Sequence, residues 1–264
     1  MDITKEIKKI EYNGKIAYLK PMLIEKAVDG RPFKKRPTIL VLPGGGYGFV
    51  SDREGEPVAR YFNAAGFNCF VLRYTVNQGE ACFPAPLYQA AKAVEYIRQN
   101  CDEFNVDPSR VFVMGFSAGG HLAATLGVHY DTECLKNIRG MESGKNKPNA
   151  MILCYPVITS GEYAHRGSFN ALCGKGASND LLYKMSLEKH VTENTPKTFI
   201  WSTFDDETVP VENSILFAQA LKNAGVPCEL HLFPKGLHGL ALCNKVTYDG
   251  DEEKINPYAG QWMD

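Results

Sequence analysis

The sequence predicts an α/β protein with a mostly parallel central sheet, helices on both faces and an antiparallel hairpin at its start. Three observations predict it. Short apolar runs rich in strand-forming residues alternate with segments of helical period along most of the chain. Most of these runs are apolar at nearly every position, which suits strands covered on both faces, as in a parallel sheet. The first stretch instead alternates apolar and polar residues around a turn signal at Asn13-Gly14.

In chain order, Lys5–Leu23 is expected to form the hairpin at one sheet edge. Strands are then expected at Thr38–Leu42, Asn68–Tyr74, Val111–Phe116, Ala150–Val157, Thr198–Thr203 and Cys228–Phe233. Between them, Val58, Tyr61, Phe62 and Ala65 share one helical face before Gly66, a helix stop. Leu87, Ala90, Ala91, Val94 and Ile97 repeat the pattern between Pro86 and Asn100, and an Ala-rich segment follows Ser117. Val211, Ile215, Ala218 and Leu221 do the same before Gly225. Right-handed crossovers would join these units into one sheet. No internal repeat or low-complexity linker divides the chain, so residues 1–264 are read as a single domain. Two stretches break the rhythm. His129–Asn149 is polar and reads as a surface loop. Thr159–Thr195 carries Gly161, Gly167, Gly174 and Gly176 and one short helical piece around Leu181–Leu187. It reads as a cap-like loop insertion, and a connection of that length is usually functional or disordered.

Composition narrows the function classes. Of 264 residues, 44% are apolar and 22% charged, and the formal net charge is −1. That balance gives no electrostatic reason to expect nucleic acid or an anionic membrane as partner. The start, MDITKEIKKI, lacks the apolar segment of a secretion signal, and the longest apolar runs, such as AMILCYPVI from Ala150, are too short to span a bilayer. The eight cysteines are scattered, form no C-x-x-C pair and mostly lie in apolar runs, as Cys69 and Cys154 do. Free thiols in the cytoplasm are therefore expected, without disulfides or a zinc site. A homo-oligomer is left open.

The chemistry concentrates in VFVMGFSAGGHLAATLG, Val111–Gly127. Gly115-x-Ser117-x-Gly119 between a strand-like and a helix-like pattern is the arrangement of a nucleophile elbow, where a strained turn exposes a serine. Its alternative is a helix start with Ser117 as N-cap. A serine nucleophile requires an oxyanion site, a base and an acid. The run PGGGYG, Pro43–Gly48, follows the first parallel strand and exposes successive backbone N–H groups. Gly45 and Gly46, with the N–H of Ala118, are the expected oxyanion donors. A phosphate cradle fails on spacing, since neither G-x-x-x-x-G-K-[ST] nor G-x-G-x-x-G occurs. In FDDETVP, Asp205 and Asp206 compete for the acid, while one of them could cap the next helix. His238, in PKGLHGL between Gly236 and Gly239, follows the last strand and is the expected base. His231 lies within a strand, His129 and His190 lie in polar segments, and His121 is one helical turn past Ser117, where it should pack under the elbow. The chain order serine, acid, histidine is that of the nucleophile-elbow hydrolases.

With these motifs the chain resembles an α/β-hydrolase of the esterase/lipase superfamily, near the acetyl-xylan-esterase-like and feruloyl-esterase-like bacterial branch. PGGGYGFVSDREGEPVA, NVDPSRVFVMGFSAGGHLAA, YPVITSGEYAHRGSF, DDETVPVENS and GLHGL carry the likeness, which runs nearly end to end. The family's D-x-x-V-P motif implies Asp206 as the acid. Pro43 stands where the hormone-sensitive-lipase branch has histidine. The closing AGQWMD resembles the start of the family's final helix, either a stub or cut short.

The resemblance implies hydrolysis of short-chain carboxylic esters through an acyl-enzyme, with acetylated sugars or oligosaccharides as substrates and no metal or organic cofactor. The alternatives are a serine peptidase or acyltransferase on the same scaffold, or a non-catalytic ligand-binding member. Tyr47, Arg53 and His165, with Tyr163 and Arg166, are candidates for substrate contact. Arg53 and Glu54, being adjacent, are expected to point apart and bond separate partners that fix the glycine loop, with substrate contact by Arg53 as the alternative. Asp205 is expected to bond local backbone N–H groups in its turn.

Overall fold

Hydrophobic periodicity resolves into one sheet and two covering layers. The structure is a computed structural model that describes residues 6–25, 34–136 and 144–264. The strands are β1 (Lys8–Tyr12), β2 (Lys15–Met22), β3 (Arg36–Leu42), β4 (Asn68–Arg73), β5 (Val106–Phe116), β6 (Ala150–Cys154), β7 (Thr198–Thr203) and β8 (Cys228–Phe233). They lie in the order β1-β2-β4-β3-β5-β6-β7-β8. β1–β2 and β2–β4 pair antiparallel, and every later pair is parallel. The turn at Asn13-Gly14 takes the positive φ angles that such a hairpin needs.

The helices are α1 (Glu56–Ala64), α2 (Ala85–Gln99), α3 (Ala118–His129), α4 (Glu133–Lys136), α5 (Arg166–Cys173), α6 (Asn179–Lys184) and α7 (Glu212–Asn223). Alternation along β3 divides the core. Leu40 and Leu42 face the layer of α2, α3 and α7, whereas Ile39 and Val41 face α1 and the C-terminal segment. On that second face Trp201 of β7 and Trp262 stack with ring centroids 5.2 Å apart, and Trp262 Nε1 donates to the Ala241 carbonyl at 3.1 Å. Trp262 belongs to a short 3-10 turn, Ala259–Met263, that closes this layer. α3 is buried at every one of its 12 positions, so this helix lacks a solvent face and is itself core. Among the described residues, no helix is long and apolar enough to cross a membrane.

The elements differ from expectation in four places, the first being β6, which ends at Cys154 rather than Val157. β5 begins at Val106, because Arg36 pairs with Val106 ahead of a register shift. α3 runs on to a buried His129, and Glu133–Lys136 is helical, so the expected loop from 129 starts later. Residues 137–143 of that expectation lie outside the described residues, as does Lys5 of the hairpin. The 159–195 insertion holds α5, α6 and a 3-10 turn at Leu187–Lys189 in place of one helical piece. Each α-helix there has a side-chain N-cap, His165 for α5 and Ser178 for α6.

Candidate active site

Four loops at the carboxyl ends of β3, β5, β7 and β8 meet on one edge of the sheet, where open α/β sheets place their ligands. The β5–α3 turn is the tightest. Ser117 holds φ 54° and ψ −117°, a conformation that side chains rarely adopt. The backbone around it is pinned: Ser117 N–H donates to Cys154 O at 3.0 Å, and Ser117 O accepts from Val157 N–H and His121 N–H at 3.1 and 3.0 Å. α3 then runs so close to β3 that a Cβ on Gly119 would overlap the carbonyl oxygens of Leu42 and Pro43. Only glycine fits there.

Ser117 is 8% exposed, and its Oγ lies 2.8 Å from His238 Nε2. His238 Nδ1 in turn lies 2.6 Å from Asp206 Oδ2. The other Asp206 oxygen accepts from the backbone N–H groups of Thr208 and Val209, each at 2.9 Å. The Asp206 side chain is fully buried and that of His238 18% exposed. A carboxylate locked by two amides can hold an imidazole in the tautomer that leaves Nε2 free to accept the Ser117 proton. The structure therefore brings Ser117, His238 and Asp206 into one hydrogen-bonded chain.

The glycine loop supplies the facing wall. Gly45 and Gly46 take φ angles of 119° and 62°, and Gly45 O accepts from the N–H groups of Gly48 and Phe49 at 2.9 and 3.1 Å. That turn leaves the N–H groups of Gly45 and Gly46 without a protein acceptor among the described residues. Gly45, Gly46, Ser117, His165 and His238 line a common cleft of about 830 Å³. Ala118 begins α3 directly after Ser117 and is buried.

Arg53 and Glu54 point apart, as expected from their adjacency. Glu54 is 3% exposed, and its carboxylate accepts from Gly44 N–H at 2.9 Å and from the Tyr155 hydroxyl at 2.8 Å. Arg53 donates to Gly239 O at 2.5 Å and Thr247 O at 3.1 Å, bridging to the loop of His238. Arg53 also lines the cleft. Tyr155 was not predicted for this region. Its hydroxyl accepts from Ala241 N–H at 2.9 Å, and its ring packs edge-on against His238 with centroids 5.1 Å apart.

Two expectations are corrected. Tyr47 does not contact the cleft: it is 1% exposed, and its hydroxyl bonds His121 Nδ1 at 2.9 Å beneath the loop. A phenol tip without water needs an internal partner, and His121 is the one it finds. Burial lowers the His121 pKa to about 4, so its ring stays neutral, with Nε2 against Met185 O at 3.0 Å. Asp205, for its part, bonds mainly across to the histidine loop rather than within its own turn. It accepts from Gly236 N–H at 2.8 Å and pairs with Lys235 at 3.2 Å, both in the histidine loop. The Gly236 amide and that lysine hold its carboxyl below the usual range.

His165 lines the cleft with Nδ1 turned back onto Ser168, while Arg166 donates to Ser160 O and Gly161 O. Tyr163 is 36% exposed, and its carbonyl accepts from Asn213. Among the described residues no group of three or more His, Cys, Asp or Glu side chains is placed to hold a metal ion.

The BD-FAE family model matches residues 30–221. The chain is 41% identical over 218 residues to endo-1,4-beta-xylanase B of Butyrivibrio fibrisolvens, covering 82% of this chain and 34% of that protein. It is 31% identical over 231 residues to an acetylxylan esterase of Xylanibacter ruminicola, covering 85% of this chain and 45% of that protein. This chain thus spans less than half the length of either curated relative. Among solved structures, the acetyl ester-xyloside bifunctional hydrolase from Caldicellulosiruptor lactoaceticus superposes with a TM-score of 0.80 at 42% identity, covering 95% of this chain and 88% of that one.

Proposed function

We propose that this chain, which belongs to the BD-FAE family and has the α/β-hydrolase fold, hydrolyses short-chain carboxylic esters through an acyl-enzyme on Ser117. One observation carries the reading: Ser117 Oγ, the His238 ring and the Asp206 carboxylate stand in sequence at 2.8 and 2.6 Å, on a cleft walled by unpartnered glycine amides. His238 Nε2 takes the Ser117 proton as Oγ attacks the ester carbonyl. The negative charge that develops on the carbonyl oxygen is met by the N–H groups of Gly45, Gly46 and Ala118. His238 then delivers its proton to the departing alcohol. Water, activated by the same ring, releases the acid and restores Ser117, while Asp206 stabilises the imidazolium in both halves.

Acetylated sugars are the proposed substrates. Support comes from relatives named as a xylanase, an acetylxylan esterase and an acetyl ester-xyloside hydrolase. A cytoplasmic setting is proposed with it, because the described cysteines are all unbridged. The test is hydrolysis of 4-nitrophenyl acetate, butyrate and octanoate beside acetylated xylo-oligosaccharides, for the parent protein and for Ser117→Ala. The expected result is a rate highest for acetyl, deacetylation of the oligosaccharides, and loss of all these activities in a folded Ser117→Ala protein. Retained activity in that variant would refute the nucleophile, and a rate rising with chain length would refute the short-chain preference.

A further inference from the structure

The unassigned group in the cleft is the outward edge of His165. At the start of α5, its Nδ1 accepts from Ser168 N–H at 3.3 Å and lies 2.8 Å from Ser168 Oγ. A ring nitrogen that accepts a backbone N–H carries no proton, so the neutral ring is protonated on Nε2. Ser168 is 1% exposed and fixes the ring's orientation. Nε2 has no partner among the described residues, and the ring lines the cleft with Ser117 and His238. Its Cε1 is 3.9 Å from where a Cβ on Gly46 would lie, so it borders the oxyanion turn. Burial, then the charge of His238, lowers its pKa. Adding a proton at Nδ1 would also set two N–H groups against each other. His165 thus faces the cleft as a fixed, uncharged hydrogen-bond donor.

We propose that His165 Nε2–H recognises a hydroxyl oxygen on the alcohol half of the ester, selecting esters of polyhydroxy alcohols over those of plain alkyl alcohols. This rests on the ester-hydrolysis reading above. The side of the scissile bond follows from proton delivery: the leaving oxygen must lie against His238 Nε2 to be protonated. His165 lines the same cleft as His238, so its outward N–H faces the space where the alcohol lies against that ring. A donor that loses water on binding needs an acceptor, and an alkyl alcohol offers none there. A discrimination of roughly tenfold in kcat/KM is expected from one such partly buried bond.

Glyceryl monoacetate and propyl acetate share the acetyl group and the carbon count and differ in the two hydroxyls, so their kcat/KM ratio reads this contact. Two substitutions separate capping from recognition. Asn places its side-chain oxygen where Nδ1 caps α5 and has nothing at the Nε2 position, whereas Gln places its amide N–H near Nε2 and loses the cap. His165→Asn should lower the kcat/KM ratio of glyceryl monoacetate to propyl acetate about tenfold, and His165→Gln should keep most of the preference despite a lower Tm. An unchanged ratio in His165→Asn, or an equal fall for both esters, would overturn the proposal and leave a helix cap only. A changed acetate-to-butyrate ratio would place the donor on the acyl side and overturn it too. If the parent protein cleaved neither ester, the ester-hydrolysis reading itself would fall, an outcome distinct from loss of the ratio alone.

Discussion

Replacing Ser117 by glycine should remove activity and leave the protein more stable than replacing it by alanine, the reverse of the usual order. Ser117 sits at φ 54° and ψ −117°, and three backbone hydrogen bonds of 3.0–3.1 Å hold it there. Those bonds survive either substitution, so the conformation cannot relax. A residue with a Cβ in such a region stores about 1–3 kcal/mol, which alanine keeps and glycine releases. Glycine also enlarges the entropy of the unfolded chain, which costs about 0.4–1 kcal/mol relative to alanine. Both variants lose the Oγ to His238 hydrogen bond, a common term of about 0.5–1.5 kcal/mol. The glycine variant should therefore be about 1 kcal/mol more stable than the alanine variant, or roughly 2–4 °C in Tm for a domain of this size. Calorimetry at neutral pH on the two variants and the parent, beside acetyl ester hydrolysis, measures it. Equal melting temperatures, or a more stable alanine variant, would show that the turn stores no more than the roughly 0.4–1 kcal/mol that glycine costs in chain entropy, and would refute the reasoning.

Four further outcomes test the surroundings of the site. Asp206→Asn should lower kcat by about 10⁴ with the fold intact, the size of effect seen when a related triad loses its acid. Asp205→Asn should keep most of kcat and act on stability, and kinetics on both variants would reveal a reversed assignment. Arg53→Ala should cost about 2 kcal/mol in urea unfolding through its two lost carbonyl contacts, with KM little changed. A sharp rise in KM without loss of stability would instead make Arg53 a substrate contact. Burial lowers the pKa values of His121 and His129 to about 4, against about 6.5 in the unfolded chain. Their depressed values disfavour the folded state once they must charge. Their contribution is complete above pH 6.5 and falls by up to about 1.4 kcal/mol per pH unit for each ring between 6.5 and 4. Unfolding free energies that stay flat from pH 7 to 5 would contradict this.

The parts of the site that sequence revealed are those encoded locally. The elbow around Ser117 needs small neighbours within three residues, and the glycine turn needs positive φ at Gly45 and Gly46. Such demands leave compact signatures. The parts that escaped are set by distant partners. Tyr155 lies in an apolar run and reads as core, because its bond to Glu54 spans 101 positions. Tyr47, beside three glycines, reads as a loop residue open to substrate, yet its hydroxyl meets His121 across 74 positions. Glycines at 161, 167, 174 and 176 hid α5 within the insertion, since helical windows score them as breaks. Ser178, the N-cap of α6 that accepts from Leu181 N–H at 3.2 Å, was a readable start signal.

The placement of His238 is a property of the whole sheet rather than of its own loop. Irregular segments past a strand end are ordinarily among the least stable parts of a fold. Here Asp205, after β7, holds Gly236 N–H; Arg53, after β3, holds Gly239 O; and Tyr155, after β6, holds Ala241 N–H. The histidine lies between the first two tethers, so neither side of the loop can swing alone. The three anchors are not equal. Asp205 is partly exposed, and water can replace it, whereas Tyr155 is buried, as is the Glu54 carboxylate that holds it, and neither has such a substitute. Glu54 joins the glycine turn, through Gly44 N–H, to the tyrosine that holds the histidine loop. Its loss would strand an amide and a phenol away from water, a penalty of about 1–3 kcal/mol for each. The wall that would receive the oxyanion and the loop that carries the base are thereby spaced by one carboxylate.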